Sequence, residues 1–293
     1  MRFDKTFIAI RERSVLEIFD LSLHVFVDHF RSLFWLLVIG ATPWIALDLW
    51  LTHWMLDADE FGQLYYWVMF LLVVSQAQVG TLFMTSYLGR AMFVGRPGIW
   101  ATIKDSLKTS PYFIWSHGII RTAILALLST FWISESDWGA SLLICWFVLP
   151  GWVSLGILIR AFRPFVSEIL LLERTPISKK DENQIFFSRR SKALHVSATS
   201  ELFGRFSLSV VLAIPLTFTC FSTLVWIDTV MNIRANAEYS FSPYYWIASM
   251  WLVAGFICVS RFLSYIDTRI RQEGWSVELR MRAEGQLLVD ALD

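Results

Sequence analysis

Charge is scarce in this chain of 293 residues: Asp, Glu, Lys and Arg make up 17%, against about 25% in an ordinary soluble domain. The charge also cancels, with 25 basic residues and 25 acidic ones. There is no basic excess to suggest nucleic acid as a partner. Cysteine is sparse too. Cys145, Cys220 and Cys258 each sit inside an apolar run with no paired spacing, which reads as small buried hydrophobes rather than disulfides or metal ligands. Catalytic signatures are missing: no phosphate-cradling Gly-rich loop, no G-x-S-x-G, no H-E-x-x-H and no dinucleotide fingerprint. No catalytic residue, cofactor or metal is therefore assigned, and the chain reads as a non-enzyme. His53, Asp57, Asp59 and Glu60 match no ligand spacing and read as a solvated acidic loop. No secretory leader is expected either, because the first 32 residues carry ten charges and the first apolar run begins only at Leu33.

What the chain has in abundance is apolar surface. Hydrophobic residues are 56%, mean hydropathy is +0.53, and there are 15 Trp and 24 Phe. Six runs are long enough to cross a bilayer, near 33–52, 64–88, 111–132, 138–160, 207–231 and 243–264. The expected fold is all-α: a polytopic bundle of six transmembrane helices with cytoplasmic amphipathic helices, forming one integral membrane domain over 1–293. Residues 1–32 supply a cytoplasmic amphipathic helix, 33–264 the spans, and 265–293 a charged cytoplasmic tail. Twenty-three of the 25 Lys and Arg fall on one side of this topology, Arg160, Arg205 and Arg261 among them; Arg234 falls on the other side and Arg121 within a span. The positive-inside rule then puts both termini in the cytoplasm. Aromatics such as Trp50, Tyr65, Trp132, Tyr244 and Trp246 crowd the opposite ends of the spans, as an interfacial belt does.

Ser14-Val15-Leu16-Glu17 has capping-box spacing and predicts a helix start. Beyond it Leu16, Phe19, Leu23, Phe26 and Phe30 recur at helical spacing, opposite Glu17, Asp20, His24, Asp28 and Arg31. Such a helix either lies on the membrane surface or packs against other cytoplasmic segments. An internal repeat is suggested by Leu23-His24-Val25 standing 20 residues before Pro43, and Leu194-His195-Val196 standing 21 residues before Pro215.

Arg121, about ten residues into the third span, is the most informative polar residue. An arginine at that depth costs about 2.5–3.5 kcal/mol on insertion scales and should face the bundle interior. His117 stands one turn earlier, and Gln76 and Gln78 of the second span, on a stripe with Ser75, Thr81 and Thr85, are the expected neighbours. This set is either a polar intramembrane site or interhelical glue. Pro43, Pro150 and Pro215 fall near mid-span, where broken helices build transporter sites. Asp48 and Asp228 are expected near the outer span ends, paired with water or outer-loop groups.

The tail carries i,i+4 pairs at Asp267–Arg271 and Glu278–Arg282. It reads as a solvated cap on the bundle or as a docking surface formed by Asp267, Arg269, Arg271, Glu273, Gly274 and Glu278. The run from Tyr265 through Asp267-Thr268-Arg269-Ile270-Arg271 to Glu273-Gly274 and Glu278-Leu279 resembles the closing pattern of a bacterial six-span membrane family. That family is labelled glycerophosphoryl diester phosphodiesterase membrane domain and is related to YciC-like inner-membrane proteins; the phosphodiesterase domain itself is absent here. Trp275 and the Arg280-Met281-Arg282-Ala283-Glu284 stretch look most like planctomycete members. The resemblance implies an inner-membrane protein of unassigned activity. The expected function is a non-enzymatic scaffold or accessory subunit of an envelope complex, with the bilayer and another envelope membrane protein as partners. The alternative is a small transporter or lipid-handling permease with its polar site around Arg121.

Overall fold

The computed structural model describes residues 14–57, 62–94, 96–116, 123–135, 142–173, 187–196, 198–231 and 242–273, and every regular element among them is helical. Helix α1 (Val15–Asp28) opens with the expected capping box: the Ser14 hydroxyl accepts from the Glu17 N–H at 3.3 Å, and the Glu17 carboxylate accepts from the Ser14 N–H at 3.1 Å. The face it buries is Ile18 and Ser22, with Leu21, Val25 and Phe26 packed behind. Of the anticipated apolar stripe, Leu16, Leu23 and Phe30 stay exposed. The helix thus docks on the bundle along one edge and leaves a second apolar edge open.

Helix α2 (Phe30–Asp57) runs unbroken through Pro43. Helices α3 (Gly62–Gly80) and α4 (Leu82–Val94) are nearly continuous, since the Thr81 N–H still donates to the Ala77 carbonyl and the Thr85 N–H to Thr81. Helix α5 (Ile99–Ile114) contains Pro111, which the sequence reading places at the start of the third span. Helix α6 (Ala123–Glu135) is the described part of that span. A π-helical segment, Ile144–Val148, precedes α7 (Leu149–Phe162), so Pro150 lies in the first turn of a helix rather than breaking one. A short helical connector, Val166–Glu168 and Ile169–Glu173, is followed by α8 (Phe187–Val196). The last two helices are α9 (Thr199–Met231), intact through Pro215, and α10 (Ser242–Glu273).

Five stretches are long and apolar enough to cross a membrane: Phe30–Met55, Leu64–Met92, Ile144–Phe162, Thr199–Met231 and Ser242–Gln272. The apolar part of α6, Ala123–Trp132, is shorter. The core is built on α3 and α10. Val68, Met69 and Leu72 of α3, and Met250, Trp251 and Val259 of α10, are all buried. Two glycines allow close approach: a Cβ on Gly40 would overlap the Gly80 carbonyl, and one on Gly80 would overlap the Trp251 ring. Helix α9 is the opposite case. Only 6% of its apolar window is buried, and Val211, Phe218 and Trp226 face outward.

The aromatic belt divides. Trp50, Trp132 and Tyr244 are exposed, as interfacial residues are, but Tyr65 and Trp246 belong to the core. Trp246 donates to the Tyr66 carbonyl at 3.1 Å and packs edge-on against Phe221, which ties α10 to α3 and α9. The two Leu-His-Val triplets have opposite surroundings. Leu23 and His24 are exposed, whereas Leu194 and His195 are buried.

Candidate functional site

Helices α7 and α10 end, and α9 begins, at one end of the bundle. Arg160 stands in the last turn of α7 and Arg205 in the second turn of α9, Arg261 lies about three turns before the end of α10, and the connector after α7 supplies carboxylates. Arg160 of α7 is 5% exposed, and its two terminal nitrogens donate to the carbonyls of Val74 and Ser75 on α3. Arg205 of α9 donates from Nη2 to Glu201 Oε1 and to Asp267 Oδ2 of α10, both at 2.6 Å. Arg261 of α10 donates from Nε to Glu168 Oε1 at 2.7 Å, and Glu168 is fully buried. A second cluster lies beside it. Arg190 of α8 grips Glu173 with two bonds at 2.5 and 2.9 Å, and the Tyr265 hydroxyl donates to the same carboxylate at 2.6 Å. Burial pushes the Glu173 carboxyl up. The bonds from Arg190 and Tyr265 and the charge of Arg269 outweigh that and hold it below the ordinary carboxylate range. His195 seals the connector: its Nε2 accepts the Phe165 N–H at 3.3 Å and its Nδ1 donates to the Ser191 carbonyl at 2.6 Å.

Above this end lies a cavity of about 230 Å³ between α3, α7, α9 and α10. Its lining runs from Leu202 to Thr217 on α9 and from Met250 to Ser264 on α10, a length of about 20 Å at 1.5 Å per residue. Phe70, Val73, Ile214 and Val253 make its far half apolar. Among the described residues all the charge in its lining is positive, from Arg160, Arg205 and Arg261 at the near end, and no carboxylate lines it. An apolar tube with a cationic mouth matches an amphiphile with an anionic head.

The expected polar stripe of the second span is buried as a block: Ser75, Gln76, Gln78, Thr81 and Thr85. Gln76 donates to Asp48 Oδ1 of α2 at 2.8 Å. Asp48 is therefore not at an outer end in contact with water but buried, at 1% exposed, because α2 continues nine residues beyond it. Asp228 engages Tyr245 across the α9–α10 pair. Gln78 lines the cavity, and Thr85 meets Cys258 at 3.3 Å. Arg121 and His117 lie outside the described residues, as do Gly274, Glu278 and the Glu278–Arg282 pair; Glu273 ends α10. The Asp267–Arg271 pair is present at 3.0 Å, yet Asp267 is turned inward and 4% exposed because Arg205 shares it. Arg271 also reaches Glu201 at 3.4 Å, and Arg269 lies over the Tyr265 ring and 3.7 Å from Glu173. These tail residues thus hold α9, α10 and the connector together.

Sequence reasoning passed over the cavity arginines because each lies within two residues of a span end or inside it and so counts as a loop cation. The available signal was their shared side: Arg160 and Arg261 come at the close of two expected spans and Arg205 just before the start of the span between them. No protein-family model, curated protein or solved structure matches the chain.

Proposed function

We propose that this is a lipid-handling protein of a bacterial inner membrane, with six spans and both termini cytoplasmic, that takes one acyl chain of a bilayer lipid into the cavity beside α9. The observation that carries this reading is the cavity's position. Its far half, about 10 Å long at 1.5 Å per residue, is apolar, and one of its walls is the least buried of the five spanning helices. A volume of about 230 Å³ is small for a whole ligand pocket. It suits a single chain whose companion stays in the bilayer. This reading is preferred to the accessory-subunit one because the described tail charges, Asp267, Arg269 and Arg271, are engaged within the protein. The polar site moves accordingly, from the surroundings of Arg121 to the basic end of this cavity.

Filling the cavity tests the reading. Ala213→Trp and Ala254→Phe place bulk in its apolar half, where both alanines form the lining. The folded variants should lose most of the lipid that co-purifies with the wild-type protein, as seen by native mass spectrometry. Unchanged lipid adducts on both variants would contradict it.

A further inference from the structure

We infer that the basic end of the cavity is a phosphate site for a lipid headgroup of net negative charge, held by Arg160 and Arg205. This rests on the lipid reading above and adds the chemical class of the headgroup.

Two observations carry it. The first is unmatched charge. Among the described residues, four guanidiniums meet at this end, those of Arg160, Arg205, Arg261 and Arg271, and three carboxylates face them, Glu168, Asp267 and Glu201. The surplus is one positive charge, and it sits on Arg160, whose partners among the described residues are two neutral backbone carbonyls. A buried guanidinium without a counter-charge is costly, and such groups in membrane proteins mark ligand or ion sites.

The second is unused donors. Arg160 Nε, Arg205 Nε and Arg205 Nη1 are buried and have no hydrogen-bond acceptor among the described residues. Both side chains line the cavity and are more than nine-tenths buried. Guanidinium is the group best suited to phosphate, because its planar fork matches pairs of phosphate oxygens. A phosphate at the near end supplies the missing acceptors and the missing negative charge while its chain follows the apolar wall. A zwitterionic headgroup brings its own cation to a lining that holds no carboxylate, so the site selects against it.

The test is a titration of the full chain in detergent, followed by native mass spectrometry. Phosphatidylglycerol is compared with phosphatidylcholine of the same chains. The expected result is at least about tenfold tighter binding of phosphatidylglycerol, weakened by added salt while phosphatidylcholine is unaffected. Arg160→Gln should bring the two lipids level, and Arg160→Lys should retain the preference in part. Should Arg160→Gln fail to fold, the wild-type comparison decides alone. Equal binding of both lipids to the wild type, with Ala254→Phe abolishing both, would overturn the phosphate site and leave the lipid cavity standing. Binding indifferent to Ala254→Phe would remove the lipid reading itself. A further arm adds inorganic phosphate. Displacement of phosphatidylglycerol confirms the phosphate site and assigns a free anion as its ligand; no displacement, with the preference intact, assigns the lipid.

Discussion

Glu173 gathers Arg190, Tyr265 and Arg269 around its carboxylate, and its charge is what they hold. Its carboxyl titrates below its ordinary value of 4.5, because Arg190 and Tyr265 outweigh its burial. A depressed carboxyl stabilises the fold fully above that ordinary value and loses the contribution as pH falls through the folded value. Protection of the α8 amides, relative to the intrinsic exchange rate at each pH, should therefore fall as the medium is taken below about pH 4.5, and Glu173→Gln should show faster exchange already at neutral pH. Exchange in α8 that is equal in both proteins at pH 7 would count against this. His195 makes a second prediction. Replacing it with Leu leaves the buried Phe165 N–H without its acceptor, a loss of about 1–3 kcal/mol, to be read as a lower unfolding temperature in detergent. What was legible at this scale was local. The Ser14–Glu17 box and the Asp267–Arg271 pair span three and four residues and need only a helix to form. Gln76–Asp48 and Arg205–Asp267 join different helices, and no spacing along the chain announces them.

At the scale of elements, close helix contact depends on two glycines. A side chain at Gly40 meets the backbone of α3, which cannot move aside as a flexible side chain would. Gly40→Leu should therefore destabilise the bundle by about 1–3 kcal/mol through overpacking. Gly151→Ala is the matched control. Nothing lies within 4 Å of its added Cβ, so it should gain a few tenths of a kcal/mol, up to about 1, from helix propensity alone. A thermal melt of both proteins in the same detergent checks the pair; equal effects would contradict the packing account. Helix positions were readable because long apolar runs report their own length. The mid-span prolines were less informative than they looked. Pro43 and Pro215 sit inside intact helices, and Pro150 follows a π-helical segment that absorbs it. The true ends of α9 and α10 lie beyond the expected spans by about two turns, since charged residues continue each helix past its apolar part. That extension is what carries Arg205 and Asp267 into contact.

For the whole molecule, the proposed orientation rests on the basic residues and the proposed task on the cavity. Reporter fusions at positions 59, 137 and 237 should report the outside and one at 181 the inside; a periplasmic signal at 181 would overturn the orientation. The fold class was legible because composition alone demands a bilayer. The cavity was not, because four helices far apart in sequence build it and its charged residues look like ordinary loop cations one helix at a time. The central claim is that a lipid chain occupies this cavity. It is tested most directly by photolabelling the wild-type protein in membranes with a phosphatidylglycerol carrying a diazirine in one acyl chain, then mapping the labelled peptides. The account predicts labels concentrated on the cavity faces of α9 and α10, at Ala213–Thr217 and Met250–Ile257, and displaced by Ala254→Phe. Labels spread evenly over exposed residues such as Phe131, Leu155 and Trp226, and unchanged by Ala254→Phe, would contradict it.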